Sequence, residues 1–210
     1  MSDPYFFGYG SLVNLATHEY GDPRPATLQG WRRLWCETSY RKAAFLSIAP
    51  APGAQIQGLM AQVKDGDWQA LDAREAGYDR LDATHQISPE LAQQVPCAVY
   101  AIPQSKAAEQ RPSPAPILLS YLDVVLQGFI QIYGELGARG FMDTTDQWTR
   151  PVLNDRATPL YPRHQQLENA QRQLVDALCK DYGLDTIESG FSSLKYSRRR
   201  RRPLASYRLL

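Results

Sequence analysis

The chain has 210 residues, 43% hydrophobic and 21% charged, which is ordinary for one globular domain, or for one domain with a sizeable appendage. Its net charge of +1 hides an asymmetry: residues 195–210 carry Lys195, Arg198 to Arg202 and Arg208 without an acid, +7 in all, which leaves −6 for residues 1–194. The three cysteines, Cys36, Cys97 and Cys179, are far apart and form no C-x-x-C pair, which excludes a zinc knuckle or a disulfide framework and reads as reduced thiols in a cytoplasmic protein.

The opening MSDPYFF has neither a basic segment nor a long apolar run, so no signal peptide is expected. Tyr5–Tyr9 reads as a first strand running into a tight loop, Gly8-Tyr9-Gly10-Ser11, with a short helix after it from Leu12 to His18. Gly21-Asp22-Pro23-Arg24-Pro25 is expected to break the chain. Strands are expected at 26–37, at 44–48 (ended by Pro50 and Pro52-Gly53) and at 56–63, the last with Gly58 as a bulge. Residues 65–77 switch to helical spacing, with Asp65 or Asp67 as the cap. Two more strands follow at 78–87 and 97–102.

Residues 105–116 read as a Pro/Ser/Ala-rich linker that separates a β-rich core, 1–104, from a helical part, 117–194. A first helix is expected over 117–136. Its polar residues Ser120, Asp123, Gln127, Gln131 and Glu135 recur on one face, a pattern for packing on a soluble core rather than crossing a bilayer. An irregular stretch at 137–162 and a second helix at 163–182, stopped near Gly183, complete the fold. Strands first and helices later give an α+β class: a small mixed sheet or barrel of about five to six strands, packed with helices and carrying a C-terminal helical extension. The tail 195–210 is expected to be disordered and solubilising. Nucleic acid is not an expected partner, although the Arg198–Arg202 run leaves it open.

Two stretches carry candidate chemistry. In Gly8–Leu12, two glycines around Tyr9 let the backbone turn sharply, and the amides of Tyr9, Gly10, Ser11 and Leu12 then suit a carboxylate or oxyanion. The loop is neither a dinucleotide fingerprint, since Val13 stands where a third glycine belongs, nor a P-loop. An ordinary strand-to-helix turn explains it equally well alone. In Leu71-Asp72-Ala73-Arg74-Glu75-Ala76-Gly77-Tyr78, charges cluster at a helix end, which by itself describes a solvated surface.

Together, and in this order, the two stretches resemble the γ-glutamyl cyclotransferase superfamily, with its glutathione-degrading branch. The carriers of the likeness are Tyr9-Gly10-Ser11-Leu12, Gly30-Trp31-Arg32-Arg33, Gly58, and Leu71-Asp72-Ala73-Arg74-Glu75 followed by Gly77-Tyr78. It covers residues 5–103. Beyond them, Leu119–Asp123 lacks the Asn that the family carries on the next helix, and 137–194 has no counterpart in the minimal fold.

The resemblance implies an enzyme without metal or other cofactor. It would cut a γ-glutamyl amide, in a glutathione-like peptide or a γ-glutamyl amine, to 5-oxoproline and a free amine. Glu75 would carry the proton, with its pKa raised by burial and Arg74 pointing away from the cleft. The loop amides, with Ser11, would hold charge, and the Tyr78 and Tyr121 phenols would orient the substrate. The alternative is a non-catalytic module on the same fold that binds a small carboxylate or a protein.

Overall fold

The computed structural model describes residues 3–38, 42–89, 95–103 and 114–188. The aromatic run at the start forms β1 (Tyr5–Gly8), buried along its whole length. Two short 3-10 turns, Ser11–Val13 and Leu15–Thr17, replace the expected helix. Asn14 closes the second turn by accepting from the Ala16 amide.

β2 (Gly21–Cys36) and β3 (Phe45–Gln62) are longer than expected and pair antiparallel over nearly their full length. The break expected at Gly21–Pro25 lies inside β2, and the break at Pro50–Gly53 lies inside β3. The reason is visible in the register, which shifts between Gly21 and Arg24 and again between Gln29 and Trp31. At such irregularities a missing N–H costs little, so proline is tolerated there. Gly30 and Gly53 both fall within the second shift, with φ of 81° and 83°. Gly58 is no bulge: it pairs in register with Ala26. A Cβ on it would lie 2.3 Å from the Gly8 carbonyl oxygen, so glycine is required there by close approach.

α1 (Gln69–Arg74) is shorter than expected, and its N-cap is Trp68 rather than Asp65 or Asp67, although Asp67, one residue earlier, accepts from the Gln69 amide at 3.0 Å. β4 (Asp79–Asp82), β5 (Ile87–Ser88) and β6 (Cys97–Ala101) follow. The sheet has the order β4-β6-β1-β3-β2-β5, with β1 and β6 parallel. β4 and β5 thus sit at opposite edges of this path, yet only residues 83–86 separate them. The edges of a flat six-stranded sheet lie about 24 Å apart. Asp82 to Ile87 spans at most about 18 Å of extended chain. The sheet must therefore curl toward a half-barrel.

Next come β7 (Ile117–Leu118), α2 (Leu119–Asp143), β8 (Thr145–Asp146), β9 (Val152–Asn154), α3 (Asn169–Asp181) and β10 (Thr186–Glu188). β8 adds to β2 as a seventh strand of the main sheet, while β7, β9 and β10 form a small parallel sheet. α2 runs past the expected end at 136, and Gly134 at φ 69° breaks its helical path. α3 starts at 169, not 163, where Gln171 reaches back to accept from the Glu168 amide. Gly183 ends it in the left-handed conformation.

The polar stripe of α2 is itself largely covered. Ser120, Asp123 and Gln127 are all buried. Ser120 meets Asp155, Asp123 meets Arg156, and Gln127 meets Asn14 and Gln171. The expected tail 195–210, and the expected linker except 114–116, lie outside the described residues. No helix among the described residues is long and apolar enough to cross a membrane.

Candidate active site

The Leu71–Glu75 motif divides its work residue by residue. Leu71 is fully buried in a small cluster that also holds Leu12 of the loop, Phe6 and Tyr100. This apolar contact clamps α1 against the Gly8–Leu12 turn. Asp72 accepts from the Tyr100 hydroxyl at 2.5 Å and pairs with Arg80. Glu75, at the helix end, lines a cavity of about 350 Å³ that Ser11, Arg74, Tyr78, Tyr121 and Arg163 also line. A second, smaller cavity of about 30 Å³ is bordered by residues 7–12 and shares Ser11, Glu75, Tyr78 and Tyr121 with the first. All seven residues singled out from the sequence, Glu75, Tyr9, Gly10, Ser11, Leu12, Tyr78 and Tyr121, thus surround this one space.

Their side chains are differently committed. The Tyr9 ring is buried and its hydroxyl donates to the Tyr100 carbonyl at 2.7 Å. The Tyr78 hydroxyl donates to the Leu46 carbonyl at 2.8 Å. Tyr121 reaches the loop itself: its hydroxyl would lie 2.7 Å from a Cβ placed on Gly10. The Leu12 side chain packs in the cluster with Leu71, and Leu12 also borders the smaller cavity.

Glu75 exposes 16% of its side chain. Burial pushes its carboxyl up from the ordinary range, while Arg74 and Arg163 hold it down by their charge. Arg74 does not point away from the cleft as expected. Its Nε lies 3.2 Å from Glu75 Oε1, and the rest of its fork reaches the Thr17 carbonyl, the Thr17 hydroxyl and Ser11 Oγ. The helix is too short to carry Arg74 elsewhere: it ends at that residue, with the second 3-10 turn facing it.

Arg33 supports the loop from beneath. It is fully buried, donates to the Tyr9 carbonyl at 2.8 Å, to Thr144 Oγ1 and to the Gln57 carbonyl, and lies 5.0 Å from the centres of the Phe129 and Phe141 rings. Burial lowers its pKa to about 9. The three cysteines are free thiols, each pushed up by burial, Cys36 and Cys179 to about 11 and Cys97 to about 12. Among the described residues no group of three or more His, Cys, Asp or Glu is placed to hold a metal.

Tyr161, Pro162 and Arg163 line the outer wall, and no sequence motif marks them. They stand where a helix start was expected. Asp155 places them: its carboxylate accepts from the Ser120 amide, the Ser120 hydroxyl and the Leu160 amide, and Ser120 Oγ accepts from the Tyr161 amide. Tyr161 then packs edge-on against Tyr121, ring centres 4.9 Å apart.

Residues 6–117 match the family model described as gamma-glutamyl cyclotransferase, AIG2-like. Among solved structures, one named gamma-glutamyl cyclotransferase is similar at a TM-score of 0.52 and 13% identity, over 83% of this chain and 99% of the other. An uncharacterised protein from Homo sapiens is similar at a TM-score of 0.51 and 14% identity, over 84% of this chain and 99% of the other. At such identities the likeness is one of fold. No curated protein matches the sequence.

Proposed function

The chain belongs to the gamma-glutamyl cyclotransferase, AIG2-like family, and we propose that it converts a γ-glutamyl amide to 5-oxoproline and a free amine, with Glu75 as the proton carrier. One observation carries this reading: a largely buried carboxylate and the Gly8–Leu12 backbone border the same cavity.

The reaction needs little else. The substrate's α-nitrogen attacks its own γ-carbonyl, so the nucleophile is tethered and already at high effective concentration. One C–N bond closes the five-membered ring and the original amide C–N bond breaks. Two protons leave the α-ammonium and two arrive on the departing nitrogen, so no water enters. Glu75 takes protons from the first nitrogen and hands them to the second. Its surroundings suit both halves of the task. Burial makes it a stronger base, and the nearby Arg74 and Arg163 charges favour its ionised form.

The loop amides and Ser11 Oγ, which border the smaller cavity, receive the substrate carboxylate or the developing oxyanion. Arg33 keeps the Tyr9–Gly10 peptide in the required orientation. Tyr78 and Tyr121 wall the γ-glutamyl chain.

The Arg74–Glu75 contact favours one rival, a module that binds a small carboxylate without turnover, since a guanidinium on the carboxylate weakens it as a base. Incubation with a panel of γ-glutamyl dipeptides and amines decides between them. The cyclotransferase releases 5-oxoproline and free amine in equal amounts. Binding by calorimetry with no 5-oxoproline from any member of the panel leaves the module.

A further inference from the structure

We infer that Arg163 selects the leaving half of the substrate by pairing with a carboxylate on it, so that the chain acts on γ-glutamyl amino acids or peptides in preference to γ-glutamyl derivatives of uncharged amines. This rests on the cyclotransferase reading. It goes beyond it in assigning the leaving group, and it falls on residues outside the span 6–117 that matches the family.

The cavity has a direction. The smaller cavity is bordered by residues 7–12, whereas Arg163 lines only the larger one. Glu75 borders both. A γ-glutamyl amide whose scissile bond lies at Glu75, with its glutamyl end on the loop amides, therefore extends its leaving group toward Tyr161, Pro162 and Arg163.

Among the described residues, the charged groups lining the larger cavity are Arg74, Glu75 and Arg163. Arg74 is engaged by Thr17, Ser11 and Glu75. The Arg163 carbonyl accepts from Gln165 Nε2 at 3.3 Å, but its guanidinium, exposed to solvent, makes no hydrogen bond or ion pair with any of the described residues. It is near enough to Glu75 for its charge to act there. A guanidinium that none of the described residues pairs, lining a cavity, is a ready partner for an incoming carboxylate, through two parallel N–H···O bonds.

The base of the side chain is fixed rather than loose. Asp155 and Ser120 hold Leu160 and Tyr161 by their amides, the Tyr161 ring packs on Tyr121, and Pro162 restricts the backbone directly before Arg163. Only the long side chain has to be ordered on binding, which limits the entropic loss.

The test compares kcat/KM for γ-glutamyl-alanine and γ-glutamyl-alaninamide, which differ only in the leaving-group carboxylate. The wild-type chain is expected to prefer the carboxylate about tenfold, the equivalent of one good charged contact. Arg163→Ala brings the ratio close to one, through KM of the carboxylate substrate, and Arg163→Lys retains part of the preference. Any effect of Arg163 on Glu75 acts on both substrates and cancels in the ratio. A wild-type ratio near one, or a preference that survives Arg163→Ala, overturns the assignment. Failure of the wild-type chain to form 5-oxoproline from either substrate overturns the cyclotransferase reading, and the assignment with it.

Discussion

Glu75 is pulled two ways, and burial prevails. A general base must be ionised to act, so the acid limb of kcat/KM should lie above the ordinary glutamate value of about 4.3, with activity lost as the pH falls through it. Removing a cation that favours the ionised form raises that pKa further. Arg163→Ala is therefore expected to move the limb up, as read from a pH profile with the alaninamide substrate; a limb that stays put or moves down would show that Glu75 is not the titrating group. At the loop, Gly10→Ala places a Cβ 2.7 Å from the Tyr121 hydroxyl and 3.1 Å from Leu46 Cδ2. The displacement should lower kcat/KM by about a hundredfold, the usual penalty for misplacing reacting groups by an ångström. Tyr121→Phe in the same chain removes the closest atom and leaves the ring carbon at 3.9 Å, so it should recover part of the loss. Full activity of the single variant would mean that the loop does not touch the substrate.

Among the elements, the segment from β9 to α3 does most to complete the site, and it was the least legible in the sequence. Its placement depends on Asp155, a buried side chain whose partners lie 35 residues away on Ser120 and five away on Leu160. Nothing in the spacing of 137–162 announces such a contact. Asp155→Ala strands the Ser120 groups and the Leu160 amide, and should cost about 3 kcal/mol of stability, read from the urea midpoint. It should also raise KM more than it lowers kcat, because Tyr161 and Arg163 lose their anchor while Glu75 does not; an unchanged KM would separate that segment from substrate binding. The strands tell the opposite story. Alternation placed β2 and both halves of β3 correctly, and the error lay in reading Pro23, Pro50 and Pro52 as ends. Proline signals a missing donor, and a bulge can absorb that without ending a strand.

For the whole molecule, the strands-then-helices order was enough to give the α+β class. Curling of the sheet was not in that pattern. It follows from the short link between β4 and β5, whose partners lie at opposite edges. The two chemical motifs were legible because each keeps a local signature, and Leu12 with Leu71 joins them through one apolar cluster. Arg33 was legible only as part of a strand motif. That it lies fully buried under the loop, between two phenylalanine rings from α2, depends on contacts more than 90 residues away in sequence, which no local pattern encodes.

A carboxyl whose folded pKa lies above its unfolded value stabilises the fold while protonated, and that contribution is lost as the pH rises through the folded pKa. The raised pKa of Glu75 thus marks a cost at neutral pH, and its neutral isostere should melt no lower than the native chain. Glu75→Gln is accordingly a clean probe, measured by 5-oxoproline release and by calorimetric binding of the same γ-glutamyl dipeptide. The expected result is a folded variant that binds the dipeptide and has lost a factor of about 10² to 10⁴ in kcat. A variant that cyclises within a few-fold of the native rate would show that some other group moves the proton.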